Sequence, residues 1–425
     1  MTRTFRIMAT GIAAATLFAG AGGCGDKGST SDGGESSSAG GAIKTGPGIT
    51  SKTITLGVLT DLSGVFAPFG QPLTKAHELY WKQQNAKGGV CDRTVELLVK
   101  DHGYDPQKAV VQYREMGPKI AGMQDLLGSP IVAALLPTLK SERMPSLLTS
   151  WASSLLANDF AIEVGAPYEL EIINGLDYLK GEGLIKSGDK IGHVYFEGEF
   201  GEAGLAGTKY YVAKHGMEVV EQKIQPTDED MSGQVSALKR AGVKLIAVTT
   251  GPKQMASIAG IAASQGMNVP ILGSNPTFDP ALMKSPAAKA LIANAYIASP
   301  VAPFSSDEPA VKEVSDAFVE AYGKKDAKAT AQVGWAESQV MYAILDKACE
   351  NKDLSREGLI KAQRQLSGID TGGVVAGTLD YTKVGEPPTR SNYLARPADV
   401  VGGLKSLGGP VESDTAKNWT VGATS

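Results

Sequence analysis

A repeated alternation of strand and helix patterns constrains the fold of this chain more than any other feature. Residues 52–60 alternate apolar and polar side chains and predict a β-strand. Apolar residues at helical spacing predict a helix over 71–87, which a glycine pair ends. A strand at 94–101 and a helix over 107–116 follow, with Asp105 as the N-cap of that helix. This β-α-β-α order is typical of a parallel sheet with helices on its faces.

The same order returns in the second half of the chain. A strand at 190–198 precedes a helix over 202–215, and a strand at 243–250 precedes a helix over 253–265. The predicted fold class is therefore α/β, with two doubly wound parallel-sheet lobes and a cleft between them. Ligands of open α/β sheets bind beyond the carboxyl ends of the strands, so we expect a ligand site in this cleft.

The first 50 residues differ in composition from the rest of the chain. Arg3 and Arg6 precede a run of apolar and small residues at 7–21. This run is shorter than the roughly 20 apolar residues that span a bilayer, so it predicts a signal peptide over 1–23. Residues 24–50 are rich in Gly, Ser and Asp and predict a flexible tether, because they have too little apolar surface to form a core.

Charge and motif content exclude several functions. The formal net charge is −4 and no run of Lys or Arg occurs, which argues against nucleic acid as a partner. The sequence has no G-x-S-x-G, P-loop or H-E-x-x-H motif. The four histidines lack metal-ligand spacing, so each is expected to be structural: His77, His102, His193 and His215. We therefore predict no catalytic residue, no metal, no cofactor and no enzymatic activity.

The stretch ITLGVLTDLSGVFAPFGQPLTKAHELYWKQQNAKGGV resembles the first βα unit of the type I periplasmic binding proteins. Within that family it is most similar to the branched-chain amino acid and amide group, which supplies ABC importers. Segments at 100–110, 199–204 and 273–282 match later turns of the family, so the resemblance covers about residues 51–400. The residues that carry the first motif are Asp61, Ser63, Gly64, Phe69, Gly70 and the run Asn85-Ala86-Lys87-Gly88-Gly89.

The resemblance implies ligand contacts from loops at the carboxyl ends of strands. Ser129 precedes a helix whose N-terminus favours negative charge, although its hydroxyl could instead only cap that helix. Asn275 falls where the family often has an acidic residue for a substrate ammonium, and Asp279 is expected to cap the next helix. The asparagine side chain at that position argues against an α-amino acid as the ligand and favours amides, urea-like ligands or other small polar molecules. The implied ligand-binding residues are Phe69, Ser129, Ala152, Ser153, Phe200, Thr250 and Asn275.

The three cysteines have two implied roles, a lipid site and a disulfide. The sequence Ala21-Gly22-Gly23-Cys24 resembles the lipobox of bacterial lipoproteins, which implies a lipid on Cys24 and an anchor in the cell membrane. The alternative is ordinary secretion after about Ala21. Cys91 and Cys349 would both lie in the first lobe and form a disulfide, or else remain two separate thiols.

The resemblance also implies the lobe boundaries and the function. The first lobe would comprise 51–165 and 300–376, and the second lobe 166–299 and 377–425, with crossings near Gly165, Ser299 and Gly377. The expected function is capture of a branched-chain amino acid, amide or related small molecule outside the cytoplasm. Hinge closure would then deliver it to ABC permease subunits. The alternatives are a tethered sensor domain that acts on a signalling receptor, and a cell-surface hydrolase.

Overall fold

The computed structural model describes residues 43–423, which form two β-sheets flanked by α-helices. The first sheet has the strand order β2-β1-β3-β4-β5 and every pairing in it is parallel. Strands β1 and β2 pair in register from Thr53 opposite Thr94 to Thr60 opposite Asp101. Its strands are β1 (Thr53–Thr60), β2 (Thr94–Asp101), β3 (Gly122–Leu127), β4 (Ser146–Thr149) and β5 (Ala161–Ile162).

The second sheet has the strand order β12-β11-β10-β9-β8-β6-β7. Strands β6 to β10 pair in parallel, whereas β11 pairs antiparallel with both β10 and β12. Its strands are β6 (Lys190–Phe196), β7 (Glu218–Ile224), β8 (Leu245–Thr249), β9 (Ile271–Gly273), β10 (Ala295–Ser299), β11 (Tyr393–Pro397) and β12 (Leu404–Ser406).

Helices cover both sheets, and those of the first lobe include three that come late in the chain: α9, α10 and α11. Helix α10 packs along α1 and contacts β3, so the chain returns to the first sheet after it has built most of the second. The helices are α1 (Ala67–Ala86), α2 (Pro106–Met116), α3 (Ser129–Glu142), α4 (Tyr168–Gly181), α5 (Glu199–His215), α6 (Ser232–Ala241), α7 (Pro252–Ser264), α8 (Ala288–Asn294), α9 (Pro309–Tyr322), α10 (Ala329–Glu350), α11 (Arg356–Gln363) and α12 (Asp414–Lys417).

The structure confirms the predicted fold class of two parallel-sheet lobes. Asp105 caps α2 as predicted, since its carboxylate accepts from the Gln107 amide at 2.8 Å. Helix α1 begins before the predicted residue 71 because Pro68 lies in its first turn, where a missing N–H costs no hydrogen bond. No helix within residues 43–423 is long and apolar enough to span a membrane.

Cys91 and Cys349 are disulfide-bonded, with Cα atoms 6.1 Å apart. Cys91 lies in the turn after α1, and Cys349 lies in the last turn of α10. The predicted signal peptide, the predicted lipid site Cys24 and most of the predicted tether lie outside the described residues.

Candidate functional site

The loop between β1 and α1 brings aromatic side chains to the cleft. Buried Asp61 ends β1, and its carboxylate accepts hydrogen bonds from the backbone amides of Ser63, Gly64 and Phe66. These bonds fix the loop and hold Phe66 directly before α1. Phe69 lies in the first turn of the same helix, so one carboxylate positions the loop that carries both rings.

A second loop places Ser129 at the start of α3. Gly128 has φ +103, and a Cβ there would lie 2.7 Å from a ring atom of Tyr104, so the position requires glycine. Ser129 is the first residue of α3, and no side chain caps this helix. The Ser129 hydroxyl lies 2.7 Å from the Ser150 hydroxyl. Pro130 has no N–H, and the amides of Ile131 and Val132 donate to the Gly128 carbonyl at 3.0 and 2.9 Å. Within the described residues, the Ser129 N–H is therefore the backbone donor of this first turn that has no acceptor.

These loops line a partly open cavity, here called the aromatic cavity. Six of the eleven described residues that line it are aromatic, and none is Asp, Glu, Lys, Arg or His. Tyr168 and Phe200 pack with ring centroids 4.8 Å apart, and Phe66 and Tyr104 pack at 4.9 Å. The lining residues are Phe66, Phe69, Tyr104, Leu127, Gly128, Ser129, Thr149, Trp151, Tyr168, Phe200 and Pro276.

A second, partly open cavity adjoins the first. The two share Phe66, Phe69 and Pro276, so these three residues form the boundary between them. The second cavity is also mainly apolar, through Val65, Pro68, Phe278, Ile297 and Leu404 among others. Its polar lining comes from Asn275, Asp279, Ser299, Lys328 and Thr330.

Lys328 joins the two lobes at the second cavity. Its ammonium donates to Asp279 Oδ2 at 2.6 Å and to the Pro68 carbonyl at 3.1 Å. The Pro68 carbonyl is available because Pro72, four residues later in α1, has no N–H to donate. Asp279 also caps the short 3₁₀ helix that follows, as predicted, through the Ala281 amide at 2.7 Å. Both charged side chains are mostly buried, at 15% and 11% exposure.

The structure brings some of the predicted ligand-binding residues together. Phe69, Ser129 and Phe200 line the aromatic cavity, and Phe69 and Asn275 line the second cavity. The backbone N–H of Asn275 donates to Glu171 Oε2 at 2.9 Å, which fixes the loop after β9. The direct ligand contacts of these residues stay predictions.

Three of the predicted ligand-binding residues do not line either of these two cavities in the described part of the chain: Ala152, Ser153 and Thr250. Thr250 is buried, and its hydroxyl donates to the Gly251 carbonyl at 3.2 Å. Ala152 and Ser153 follow Trp151, and Trp151 lines the aromatic cavity in their place. The Ser153 hydroxyl donates to Glu169 at 2.6 Å. The ligand contacts predicted for these three residues also stay predictions.

Several lining residues were not predicted, and most lacked a distinguishing sequence signal. Tyr104 and Tyr168 flank helix starts, where an aromatic residue has no special meaning. Lys328 precedes α10, far along the chain from the other cavity residues. Only Trp151 gave a signal, because it interrupts the run of small residues expected in its loop.

Buried carboxyl groups surround the aromatic cavity without lining it. Burial raises the pKa of Glu169 to about 7 and holds the pKa of Glu163 and that of Glu199 above the ordinary range. Each shift is towards the neutral form of the group, which reduces repulsion of an anionic ligand. No group of His, Cys, Asp and Glu within residues 43–423 is arranged to hold a metal ion.

Comparisons with known proteins define the class of this protein. The family model described as "Periplasmic binding protein" matches residues 53–399. The chain belongs to this family, which confirms the resemblance found in the sequence. A search of curated protein sequences finds no significant match.

Solved structures with the same fold include transporter components. A fatty acid ABC transporter substrate-binding protein from Thermomonospora curvata is 43% identical, with a TM-score of 0.86, 89% of this chain covered and 97% of that chain. A branched-chain amino acid ABC transporter protein from Thermus thermophilus, with bound valine, is 19% identical, with a TM-score of 0.77 and coverage of 87% and 99%. A solute-binding protein from R. palustris in complex with 4-hydroxybenzoate is 18% identical, with a TM-score of 0.73 and coverage of 85% and 98%.

The protein is thus an extracytoplasmic substrate-binding component of an ABC importer, and its partners are a small-molecule ligand and ABC permease subunits. Proteins of this family bind solutes and do not transform them, so the expectation of a non-enzyme is confirmed.

Proposed function

We propose that the protein captures an apolar carboxylic acid, such as a fatty acid, in the cleft between its lobes. The single observation that carries this proposal is the aromatic cavity, whose eleven lining residues include six aromatic rings and no charged side chain. An amino acid would bring an ammonium group into this cavity without a carboxylate partner, which is costly. The 43% identical relative is a fatty acid ABC transporter component, which supports the same class of ligand.

The ligand carboxylate would bind at the start of α3. The backbone N–H and the hydroxyl of Ser129, at the start of this 14-residue helix, are suitable donors to an anion. Tyr104 and Tyr168 line the same cavity, and burial raises the pKa of each phenol, so both hydroxyls stay protonated and able to donate. The apolar part of the ligand would then contact the aromatic rings.

Closure of the lobes would occur about three chain crossings near Gly165, Ser299 and Gly377, which divide the lobes as 51–165 with 300–376 and 166–299 with 377–425. Contacts among these segments support this division. The Ala376 amide donates to the Pro300 carbonyl at 2.9 Å. Gly165 has φ +124, and a Cβ there would lie 2.3 Å from Pro300 Cβ. Close packing of all three segments is the arrangement that a shared hinge requires.

The test of ligand class uses the full chain with Cys24→Ser, stripped of bound ligand, so that no detergent is needed. Calorimetric titration should detect decanoate binding more tightly than leucine or acetamide. Ser129→Ala should weaken decanoate binding by about tenfold or more, because a charge-assisted hydrogen bond is lost. Ser141→Ala, on the same helix but outside the cavity, is the matched control and should bind as the wild type does. Tighter binding of leucine, or no binding of decanoate, would refute the proposal.

We also propose that a lipid on Cys24 anchors the protein to the cell membrane. The small residues before Cys24, after an apolar run, support cleavage there and attachment of a lipid to the cysteine sulfur. Cells that express the wild type should retain the protein in the membrane fraction, and Cys24→Ser should release it. Equal distribution of the two proteins between membrane and soluble fractions would exclude the anchor.

A further inference from the structure

The second cavity contains buried hydrogen-bonding groups that an unsubstituted hydrocarbon chain would leave unpaired. Asn275 is 8% exposed, and its side-chain Nδ2 has no hydrogen-bond partner among the described residues. The Thr330 hydroxyl is also buried and unpartnered within residues 43–423. Both residues line this cavity. A buried donor without a partner costs free energy, so two at one cavity need an explanation.

Lys328 adds a third donor at the same cavity. Its ammonium has three N–H bonds, of which one is directed to Asp279 and one to the Pro68 carbonyl. Lys328 and Asp279 neutralise each other, so this end of the cleft has donors but no net charge to offer. A second carboxylate here would be an uncompensated buried charge, whereas a neutral hydroxyl or carbonyl oxygen would not.

The two cavities are contiguous and their polar groups lie on different walls. Ser129 lines only the aromatic cavity, and Asn275, Thr330 and Lys328 line only the second one. Phe66, Phe69 and Pro276 form the apolar boundary between them. A ligand that satisfies both sets is polar at its two ends and apolar in the middle.

From this arrangement we infer that the preferred ligand is a fatty acid with a second, neutral oxygen at its far end, such as an ω-hydroxy acid. The inference rests on the proposed function, since it takes the carboxylate to lie at Ser129. Asn275 and Thr330 are then the residues that select the substituted acid. The ω-hydroxyl of the ligand accepts a hydrogen bond from Asn275 Nδ2. It forms a second hydrogen bond with the Thr330 hydroxyl, in which either group can be the donor.

The test compares matched pairs of fatty acids and ω-hydroxy acids from hexanoate to dodecanoate, on the full chain with Cys24→Ser. At the best chain length, the hydroxy acid should bind about tenfold more tightly, which is what one added buried hydrogen bond supplies. Sebacate, a dicarboxylate, should bind more weakly than ω-hydroxydecanoate.

Thr330→Val and Asn275→Leu should each weaken binding of the hydroxy acid and so bring the affinities of the two acids closer together. Thr138→Val, a helical threonine outside both cavities, should keep the full preference. The inference is overturned if the unsubstituted acid binds as tightly as its hydroxy partner, if sebacate binds best, or if the variants weaken both ligands alike. Failure of every fatty acid to bind would instead refute the proposed function, and the inference with it.

Discussion

Three ionisable side chains lie buried together beneath the aromatic cavity. The Thr149 hydroxyl, on the cavity wall, lies 2.5 Å from Asp125 Oδ1 and 3.0 Å from Glu337 Oε1. His77 Nε2 lies 3.3 Å from Glu337 Oε2, and its Nδ1 lies 2.9 Å from the Ser338 hydroxyl. The cluster connects β3, β4, α1 and α10, so its protonation affects the whole first lobe.

The pKa values of this cluster make stability depend on pH. Burial raises the pKa of Asp125 to about 7 and that of Glu337 to about 8, and lowers the pKa of His77 to about 4. Each folded acid keeps a proton that the unfolded chain loses above about pH 4, so its contribution to stability falls as pH rises towards the folded pKa. His77 has the opposite effect, between about pH 4 and its unfolded value of about 6.5.

The variant Glu337→Gln should reveal how much the Glu337 carboxyl contributes to the pH dependence of stability. Glutamine is neutral at every pH, so the free energy of unfolding of the wild type, relative to the variant, should fall between about pH 5 and about pH 8. The expected fall is at least about 1 kcal/mol, because more than one pKa unit separates folded and unfolded states. Urea denaturation at both pH values measures it. Glu350→Gln, exposed on the same helix, is the control, and an equal pH response of the two variants would contradict the assignment.

The same residues explain part of what the sequence could not predict. Gln124 and Asp125 interrupt the apolar pattern of β3, although the whole strand is buried. Their partners are Trp81, whose indole donates to Gln124 at 2.9 Å, and Thr149, and both come from other elements. A local pattern contains no information about such distant partners. For the same reason Phe69, Ser129 and Phe200 were found through family motifs, while Tyr168 and Lys328 were not.

At the scale of elements, the disulfide joins two helices that pack along each other. Cys91 follows α1 and Cys349 lies in the last turn of α10, 258 positions further along the sequence. Helix α10 reaches the first sheet only after the chain has passed through the second lobe. A covalent link at its end therefore restricts the unfolded chain over most of its length, which favours the folded state.

Reduction of this disulfide should lower the free energy of unfolding by about 2 to 5 kcal/mol. Thermal or urea unfolding with and without a reducing agent measures the effect. The double variant Cys91→Ser with Cys349→Ser should unfold as the reduced wild type does and should not respond to reducing agent. Two free thiols in the native protein, titrated without denaturant, would refute the bond.

Elements with a clear period were predicted from sequence, and short or edge elements were not. Strands β1 and β2 are each eight residues long and rich in Val, Ile, Leu and Thr, and their predicted ranges agree with the structure within one residue. Strands β11 and β12 are five and three residues long and come after an irregular segment. They pair antiparallel at the sheet edge, which a parallel-sheet pattern does not predict.

At the scale of the molecule, polar contacts connect the lobes, and two of them bear on closure. Lys328, at the start of α10, pairs with Asp279 of the second lobe. The Ser154 hydroxyl, after β4, donates to Glu199 at the start of α5 at 2.5 Å. Both contacts exist only while the lobes are close together. They stabilise the closed form relative to an open one. A ligand bound in the cleft further increases the free-energy difference between the open and closed forms.

Removal of one partner of the buried pair should therefore weaken ligand binding more than it weakens folding. In Lys328→Met the Asp279 carboxylate is left buried in the closed form, but it can reach water when the lobes open. We expect decanoate affinity to fall about tenfold or more, while the thermal midpoint of the ligand-free protein changes little. Lys325→Met, an exposed neighbour, is the control. Restoration of affinity in Lys328→Met with Asp279→Leu would show that the penalty comes from the unpaired carboxylate. Equal affinities of Lys328→Met and Lys325→Met would instead show that this ion pair has no part in closure.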